Sequence, residues 1–314
     1  MTLNGSITVG DIQAFTQYVR QFTQPINQIA NISNVLQMTA AAAERVFAFL
    51  EEEEETADPQ PSLPAENIDG SVYFAHVHFG YVPEKTIIND FSAIIQPGTK
   101  VAIVGPTGAG KTTMVKLLMR FYDVSGGAIL LNGYDVKQFS RSTLRDSFGM
   151  VLQDTWLYND TIRENIRFGR LDATDEEVVA AAKAAQVDHF VRTLPHGYDT
   201  VLNEEASNIS QGQKQLLTIA RTIISNPKIL ILDEATSSVD TRTELLIQQA
   251  MDRLTEGRTS FIIAHRLSTI RNADIILVMK DGDIVETGNH EQLLAKGGFY
   301  AELYQSQFAN DQEE

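Results

Sequence analysis

The chain has 314 residues, enough for one large or two modest domains, and 43% of them are apolar, which is ordinary for a globular protein. Its 41 acidic and 25 basic residues give a formal net charge of −16, which argues against nucleic acid as the main partner but leaves small phosphate compounds open. The absence of cysteine excludes disulfides, thiolate metal sites and a cysteine nucleophile.

The first fifty residues predict one long helix. Residues 21–43 contain no charged side chain but many Gln, Asn and Thr, whereas a lone helix crossing a bilayer needs about 20 mostly apolar residues. Two interpretations stay open on this pattern: a soluble interaction helix, or a membrane helix whose polar side faces other helices or a water-filled cavity. The apolar side chains recur at steps of three and four and so share one helix face: Ile12, Phe15, Val19, Phe22, Ile26 and Ile29.

A polar segment separates this helix from the remainder. Residues 51–66 begin with five consecutive glutamates and contain three prolines, a composition typical of an exposed linker. We therefore expect the folded domain to span residues 67–314.

Strand and helix patterns alternate beyond the linker, which predicts an α/β fold with a mostly parallel sheet and helices on both of its faces. The segments "KILILDEA" and "TSFIIAHR" are typical of buried parallel strands, and "DIILVMKDGDIVETG" is typical of a hairpin with an Asp-Gly turn. Residues 173–194 form a more helical insert.

Residues 105–112 match the pattern G-x-x-x-x-G-K-[ST], between an apolar strand and a helix. In such a loop, glycines let successive backbone N–H groups surround a phosphate. Lys111 is suited to bridge the terminal phosphates, and the Thr112 hydroxyl is placed to bind Mg²⁺. The sequence therefore predicts a nucleoside triphosphate site formed by Gly105, Pro106, Thr107, Gly108, Ala109, Gly110, Lys111, Thr112 and Thr113.

An Asp-Glu pair follows the strand pattern "ILIL", at the strand end where open α/β sheets bind ligands. Asp233 is suited to hold Mg²⁺, directly or through water. Glu234 is suited to orient and deprotonate a water that attacks the γ-phosphate. The alternative, a helix-capping pair, is disfavoured by the phosphate loop in the same chain.

A second anion-binding position is indicated at residues 208–217, "NISQGQKQLL". The S-x-x-Q spacing predicts that Ser210 and Gln213 form a capping box at the start of a helix. Helix N-termini present N–H groups and the positive end of the helix dipole to anions.

These motifs, in this order, resemble the nucleotide-binding domain of an ATP-binding cassette (ABC) transporter, over about residues 67–310. The resemblance implies a P-loop fold of the ABC type: a parallel-sheet core, an antiparallel β-subdomain and a helical subdomain, behind a long N-terminal helix. It implies ATP and Mg²⁺ as ligands and Mg²⁺-dependent ATP hydrolysis. A GTPase is disfavoured because no N-K-x-D motif is present.

The resemblance also implies roles for single residues. Tyr81 matches the aromatic residue that stacks on adenine. Gln153 matches the glutamine that contacts Mg²⁺ and the attacking water, and His265 the histidine that contacts the γ-phosphate. Gln153 also matches the residue that senses the transmembrane part. Asp240 matches the loop that couples the two nucleotide sites, and Glu204 falls where a coupling-loop acid sits.

In this family the segment carrying Ser210, Gln211, Gly212 and Gln213 binds ATP held by the phosphate loop of a second subunit. The usual pattern has glycine where this chain has Gln211, whose side chain is expected to crowd the phosphate. This departure favours a heterodimer with a different ABC half-transporter. The segment with Gln211 would then face a weakly hydrolysing site, while Lys111, Glu234 and His265 of this chain would serve the active one. A tolerated variation in a homodimer remains the alternative.

Residues 1–50 resemble the last transmembrane helix of an ABC exporter as it enters the cytosol. The implied protein is the ATPase subunit of an exporter of multidrug or lipophilic substrates. Its transmembrane domain would belong to the same polypeptide, in the plasma membrane, with the nucleotide-binding domain on the cytoplasmic side. The runner-up is a soluble ABC ATPase that works as a mechanical module on nucleic acid or ribosomes, which the acidic charge disfavours. A cassette that only binds ATP is disfavoured by Glu234 and His265.

Overall fold

The computed structural model describes residues 8–152, 155–203, 206–233, 240–263 and 267–308. The chain divides into two compact units, which meet in sequence between Ala57 and Asp58. The two units are described separately below. The domain limits expected from the sequence, at residues 50 and 66, remain predictions.

The first unit is built around helix α1 (Val9–Leu50), which continues through Pro25. Thr8 caps its N-terminus by a reciprocal box with Asp11. None of the described residues of α1 is buried, so the apolar face of this helix is exposed to solvent. Within the described residues, no helix combines the length and the hydropathy needed to cross a bilayer.

The described residues of the second unit form two sheets. The larger has six strands in the order β10-β9-β3-β8-β7-β6, all parallel except β10, which pairs antiparallel with β9. The smaller has four antiparallel strands in the order β2-β1-β4-β5. The strands are β1 (Val72–Phe79), β2 (Ile88–Ile95), β3 (Lys100–Val104), β4 (Gly126–Leu131), β5 (Tyr134–Asp135), β6 (Phe148–Val151), β7 (Ile229–Asp233), β8 (Thr259–Ile263), β9 (Ile275–Lys280) and β10 (Asp283–Gly288).

Ten further α-helices accompany these sheets in the part of the chain that the structure describes. Helices α5 and α6 lie within residues 173–194 and confirm the predicted helical insert. Helices α4 and α5 pack on α7 and, with it, form the helical part of the unit. The helices are α2 (Lys111–Leu118), α3 (Arg141–Asp146), α4 (Ile162–Arg167), α5 (Asp175–Ala184), α6 (Asp188–Thr193), α7 (Gln211–Ser225), α8 (Thr241–Thr255), α9 (Leu267–Arg271), α10 (His290–Lys296) and α11 (Phe299–Phe308).

The larger sheet is buried on both faces because successive side chains of each strand point to opposite sides. On β3, Ala102 and Val104 enter the core shared with the helical part. Val101 and Ile103 enter the core shared with α2 and the smaller sheet. This double burial explains the continuous apolar runs in the sequence and confirms the predicted fold class.

The predicted hairpin is also confirmed. Strands β9 and β10 are joined at Asp281 and Gly282, whose φ angles of 50° and 85° both lie in the left-handed region. Two positive φ angles are required by the type I′ turn that matches the twist of paired strands, and Asp-Gly meets that requirement at low cost.

The start of the second unit is fastened to its interior by Asp58. The carboxylate accepts hydrogen bonds from Arg141, at 2.9 Å from Nη1 and 3.1 Å from the backbone N, and lies 3.9 Å from Arg120 Nη1. The side chains of Arg120 and Arg141 are 5% and 11% exposed. Arg120 also pairs with Asp123 at 3.0 Å. Residues 58–66 of the predicted linker therefore belong to the second compact unit.

Candidate functional site

The phosphate loop connects β3 to α2 and is held close to the rest of the sheet. A Cβ atom on Gly105 would lie 2.2 Å from the carbonyl oxygen of Met279, so only glycine fits against β9. Gly110 precedes α2 with a φ of 99°, which is left-handed and unfavourable for other residues. The loop thus reaches the N-terminus of α2 in the conformation expected of a phosphate cradle.

Lys111 lies over this loop. Its Nζ atom donates to the carbonyl oxygens of Gly105 at 2.7 Å and Pro106 at 3.0 Å. An ammonium group has three donors, so the same group can also bind a phosphate oxygen. Burial lowers the pKa of Lys111, and the negative charge of Asp233 opposes that shift.

A cavity of about 400 Å³ opens beside the loop. It brings together most of the predicted ligand-binding residues from distant parts of the sequence. Thr112 and Asp233 both border it, so a hydroxyl and a carboxylate oxygen face one space. Its lining comprises Tyr81, Ile87, Thr107, Gly108, Gly110, Lys111, Thr112, Thr113, Asp233 and Ile263.

A wider cavity of about 660 Å³ lies elsewhere, around Arg271, Asn289 and His290. It contains none of the residues singled out in the sequence. We assign the candidate site to the smaller cavity because a phosphate loop, a lysine and a carboxylate converge only there among the described cavities.

Asp233 is the last residue of β7, where it is paired with Ile263 at the end of β8. Strand β6 lies on the other side of β7. The predicted residues Glu234, Gln153 and His265 follow these three strands closely in sequence, but they lie outside the described residues, as does Glu204. Their roles remain predictions.

Tyr81 enters the cavity from the loop after β1. Its hydroxyl lies 3.3 Å from Thr113 Oγ1, which connects it to the first turn of α2. Its ring contacts Phe79 and Tyr122 edge to face, with centroids 5.0 Å and 5.1 Å away. The side chain is 45% exposed and borders the cavity, as a residue that stacks on a base must be.

The predicted capping box at residues 210–213 is confirmed. Gln213 N donates to Ser210 Oγ at 3.3 Å, and Ser210 N donates to Gln213 Oε1 at 2.8 Å. Gly212 is buried, whereas Gln211 is exposed and donates from Nε2 to Thr155 Oγ1 at 3.2 Å. None of these four residues is in the described lining of the cavity that contains Lys111.

Asp240 caps the N-terminus of α8. Its carboxylate accepts hydrogen bonds from the backbone N–H groups of Arg242 at 3.1 Å and Thr243 at 3.0 Å. A hydrogen bond from the Thr243 side chain, together with these backbone bonds, lowers the pKa of Asp240. The residue is therefore held as a carboxylate at the start of the helix.

One buried polar group was not anticipated from the sequence. Asn165 is 1% exposed, accepts from Tyr158 N at 2.8 Å, and donates to the carbonyl oxygens of Tyr158 and Thr161. Arg221 of α7 donates to the Asn165 carbonyl at 2.9 Å and to its Oδ1 at 3.1 Å. The sequence contained one indication of this buried group. Asn165 stands three residues after Ile162, on the apolar side of α4, where asparagine is unusual.

Comparison with known proteins identifies the fold. A family model described as "ABC transporter" matches residues 88–237. A "Fatty acid ABC transporter ATP-binding/permease protein" of Mycobacterium bovis is 58% identical over 299 residues, which are 95% of this chain and 47% of that protein. The "ATP-binding cassette sub-family B member 6" of Rattus norvegicus is 44% identical over 301 residues, 96% of this chain and 36% of that protein.

A solved structure titled "Structure of a bacterial Atm1-family ABC exporter with ATP bound" superposes with a TM-score of 0.77 and 41% identity, over 96% of this chain and 53% of that chain. The chain contains an ABC transporter domain. It spans about half the length, or less, of these relatives.

The family assignment confirms the resemblance, the fold class and an ATPase domain of the ABC type. Within this ABC transporter domain, the matched region contains the phosphate loop, residues 210–213 and Asp233. Tyr81 and Asp240 lie beyond its ends but within the part of the chain that aligns with the full-length relatives.

Proposed function

We propose that this chain is the ATP-binding and ATP-hydrolysing part of an ABC exporter, in which closure of two cassettes on ATP drives transport. The observation that carries the proposal is the convergence of Lys111, Thr112 and Asp233 on one cavity beside the phosphate loop. Such a site binds triphosphates and their metal. The relatives, which are named as ATP-binding/permease proteins or exporters, support the same activity.

The donor set of the cavity fits Mg²⁺, since Thr112 and Asp233 offer the hard oxygen ligands that this cation prefers. Bound there with ATP, Mg²⁺ would neutralise charge that develops on the phosphates. Lys111 and the loop N–H groups hold the β- and γ-phosphates. Gln153 is the further proposed metal ligand.

We assign hydrolysis to residues that follow strands β6, β7 and β8 in sequence. Glu234 accepts a proton from water as the water oxygen bonds to the γ-phosphorus. The bond from that phosphorus to the β,γ-bridging oxygen breaks, and ADP and phosphate leave. His265 holds the γ-phosphate, and Gln153 orients the water. Asp240 couples this nucleotide site to the second one, and Glu204 is the acid of a coupling loop.

The second cassette is the proposed partner, with Ser210, Gln211, Gly212 and Gln213 placed against the ATP of that partner. Gln211 at the usual glycine position favours a heterodimer over a homodimer. The confirmed capping box supports the geometry, because it fixes the first turn of α7 and its N–H groups.

The proposed setting is the plasma membrane, with α1 as the end of a transmembrane domain and the cassette on the cytoplasmic side. The polar residues of α1 suit a helix that lines a path through other helices. Among multidrug and lipophilic substrates, we favour a lipophilic one, since a 58% identical relative is named for fatty acids.

Two variants test the proposal. Lys111→Ala should reduce MgATP affinity at least ~10-fold in the purified chain, since it removes a charged donor to the phosphates. Lys137→Ala, which changes an exposed lysine outside the cavity, is the control. In the assembled transporter, Glu234→Gln should keep ATP binding, stop hydrolysis and trap closed dimers. A chain without magnesium-dependent ATP affinity would overturn the proposal, and unchanged turnover in Glu234→Gln would remove the role of Glu234.

A further inference from the structure

Three aromatic side chains meet at the edge of the cavity: Phe79, Tyr81 and Tyr122, here called the aromatic cluster. Tyr122 lies 5.1 Å from Tyr81 and 5.6 Å from Phe79 between ring centroids. Phe79 is 5% exposed and anchors the cluster in the core, whereas Tyr81 and Tyr122 are 45% and 44% exposed. The cluster therefore joins the end of β1 to the segment that follows α2.

Tyr81 needs such support because it stands on a loop. Its backbone lies beyond the last residue of β1, so strand pairing does not fix the side chain. Its hydroxyl contact with Thr113 fixes one end of the side chain, at 3.3 Å. The orientation of the ring about that end depends on its neighbours Phe79 and Tyr122, both at interplanar angles above 80°.

These angles leave the ring faces of Tyr81 out of parallel stacking with either neighbour. One face is approached by a cation, since Lys116 Nζ lies over the ring at 5.7 Å from its centroid. A base stacked parallel to this ring would therefore have to lie on the opposite face. Lys116 and Thr113 belong to α2, as does Lys111, so the same helix positions the base contact and the phosphate contact.

We propose that Tyr122 is a positioning residue for base recognition: it holds the Tyr81 ring so that the face opposite Lys116 stacks on adenine. This inference rests on the proposed ATP site. Phosphate affinity then depends on Lys111, whereas preference for adenine over a weakly stacking base depends on the pair formed by Tyr81 and Tyr122.

The test is equilibrium binding of MgATP and MgUTP to the purified chain. The two nucleotides share ribose and phosphates but differ in the stacking strength of the base. Tyr122→Ala should reduce the ATP-over-UTP preference about 3- to 10-fold, mainly by weakening ATP binding. Tyr122→Phe keeps the ring and should keep the preference. Tyr134→Ala, at a tyrosine on β5 of similar exposure that does not line the cavity, should leave both affinities unchanged.

A double-variant comparison tests whether Tyr122 affects base preference through Tyr81. Tyr81→Ala should lower the preference further, and adding Tyr122→Ala to it should change nothing more. If Tyr122→Ala is poorly folded, Tyr122→Leu supplies an apolar side chain without a ring and should show the same loss.

The outcomes separate the two proposals. If the unchanged chain binds neither nucleotide, the proposed function fails. If it binds ATP but Tyr122→Ala weakens ATP and UTP equally, Tyr122 has a structural role only and the inference fails. An unaltered preference in Tyr122→Ala and Tyr122→Leu, or an added loss in the double variant, also overturns it.

Discussion

The side-chain amide of Gln211 donates a hydrogen bond to the hydroxyl of Thr155, with 3.2 Å between Nε2 and Oγ1. This bond joins the first residue of α7 to the segment between β6 and α4. Gln211 occupies the position where ABC cassettes usually have glycine. Its side chain is therefore engaged within the chain itself, at the point where the proposed partner's ATP would approach.

We expect this bond to couple the two segments measurably. Gln211→Ala and Thr155→Val each remove one partner, and the double variant removes both. Their effects on the free energy of unfolding, measured by urea denaturation, should differ from additivity by about 0.5 to 1 kcal/mol, the value of one exposed hydrogen bond. Strictly additive effects would show that the bond is not maintained in solution.

Gly105→Ala should destabilise the chain strongly, by about 3 kcal/mol, because the new methyl group would overlap the Met279 carbonyl. Gly133→Ala is the matched control. It has a φ of 79° with no atom within 4 Å of the new Cβ, so only backbone strain of about 1 kcal/mol is expected. Thermal unfolding compares the two, and equal losses would refute the close-contact argument.

Asn165→Ala should cost about 3 kcal/mol, because it leaves the Tyr158 N–H group and part of the half-buried Arg221 guanidinium without acceptors. Burial lowers the pKa of Arg221, because its guanidinium group is partly removed from water. Asn272→Ala, at an exposed asparagine, is the control and should change stability by less than about 0.5 kcal/mol. A similar small change for Asn165→Ala in chemical denaturation would contradict this account.

Tyr198→Phe should give a pH-dependent loss of stability. Burial alone would raise the pKa of Asp188, but hydrogen bonds from Tyr198 Oη, at 2.6 Å, and from Arg192 outweigh it and hold that pKa below its ordinary value. A lowered carboxyl pKa stabilises the fold above the unfolded pKa of about 4, and this stabilisation is lost as pH falls through the folded value.

The variant should therefore lose about 1 to 2 kcal/mol at pH 7 and progressively less below about pH 4. Urea unfolding across this range measures it. Tyr300→Phe is the control, since its hydroxyl contacts the His290 imidazole at 2.7 Å instead of a carboxylate. A loss for Tyr198→Phe that stays constant from pH 7 to pH 3 would refute the linkage.

Local patterns predicted much of this molecule. The Asp281-Gly282 hairpin, the capping box of Ser210 and the apolar strand that ends at Asp233 each depend on neighbours in sequence, so they could be predicted. The phosphate loop followed from a motif with its own strand and helix. The bond of Gln211 to Thr155 joins distant segments, and the sequence predicted only that this side chain would crowd the phosphate.

Other contacts had no local signal strong enough to locate the partner. Asn165 and Arg221 come from different helices, and Tyr122, which follows α2, contacts Tyr81, which follows β1, only in the folded chain. Each pair depends on the tertiary fold, which brings together residues that no periodicity relates.

The attachment of Asp58 bears on any attempt to graft or excise this cassette. A cut at Asn67, where the glutamate- and proline-rich composition ends, would discard the carboxylate that Arg141 binds and that approaches Arg120. The guanidinium groups of Arg120 and Arg141 would then have less negative charge beside them. We expect a loss of about 1 to 2 kcal/mol, because the Asp58 carboxylate itself is 38% exposed. A chimaera whose junction lies before Asp58 would keep this carboxylate and its ion pair with Arg141.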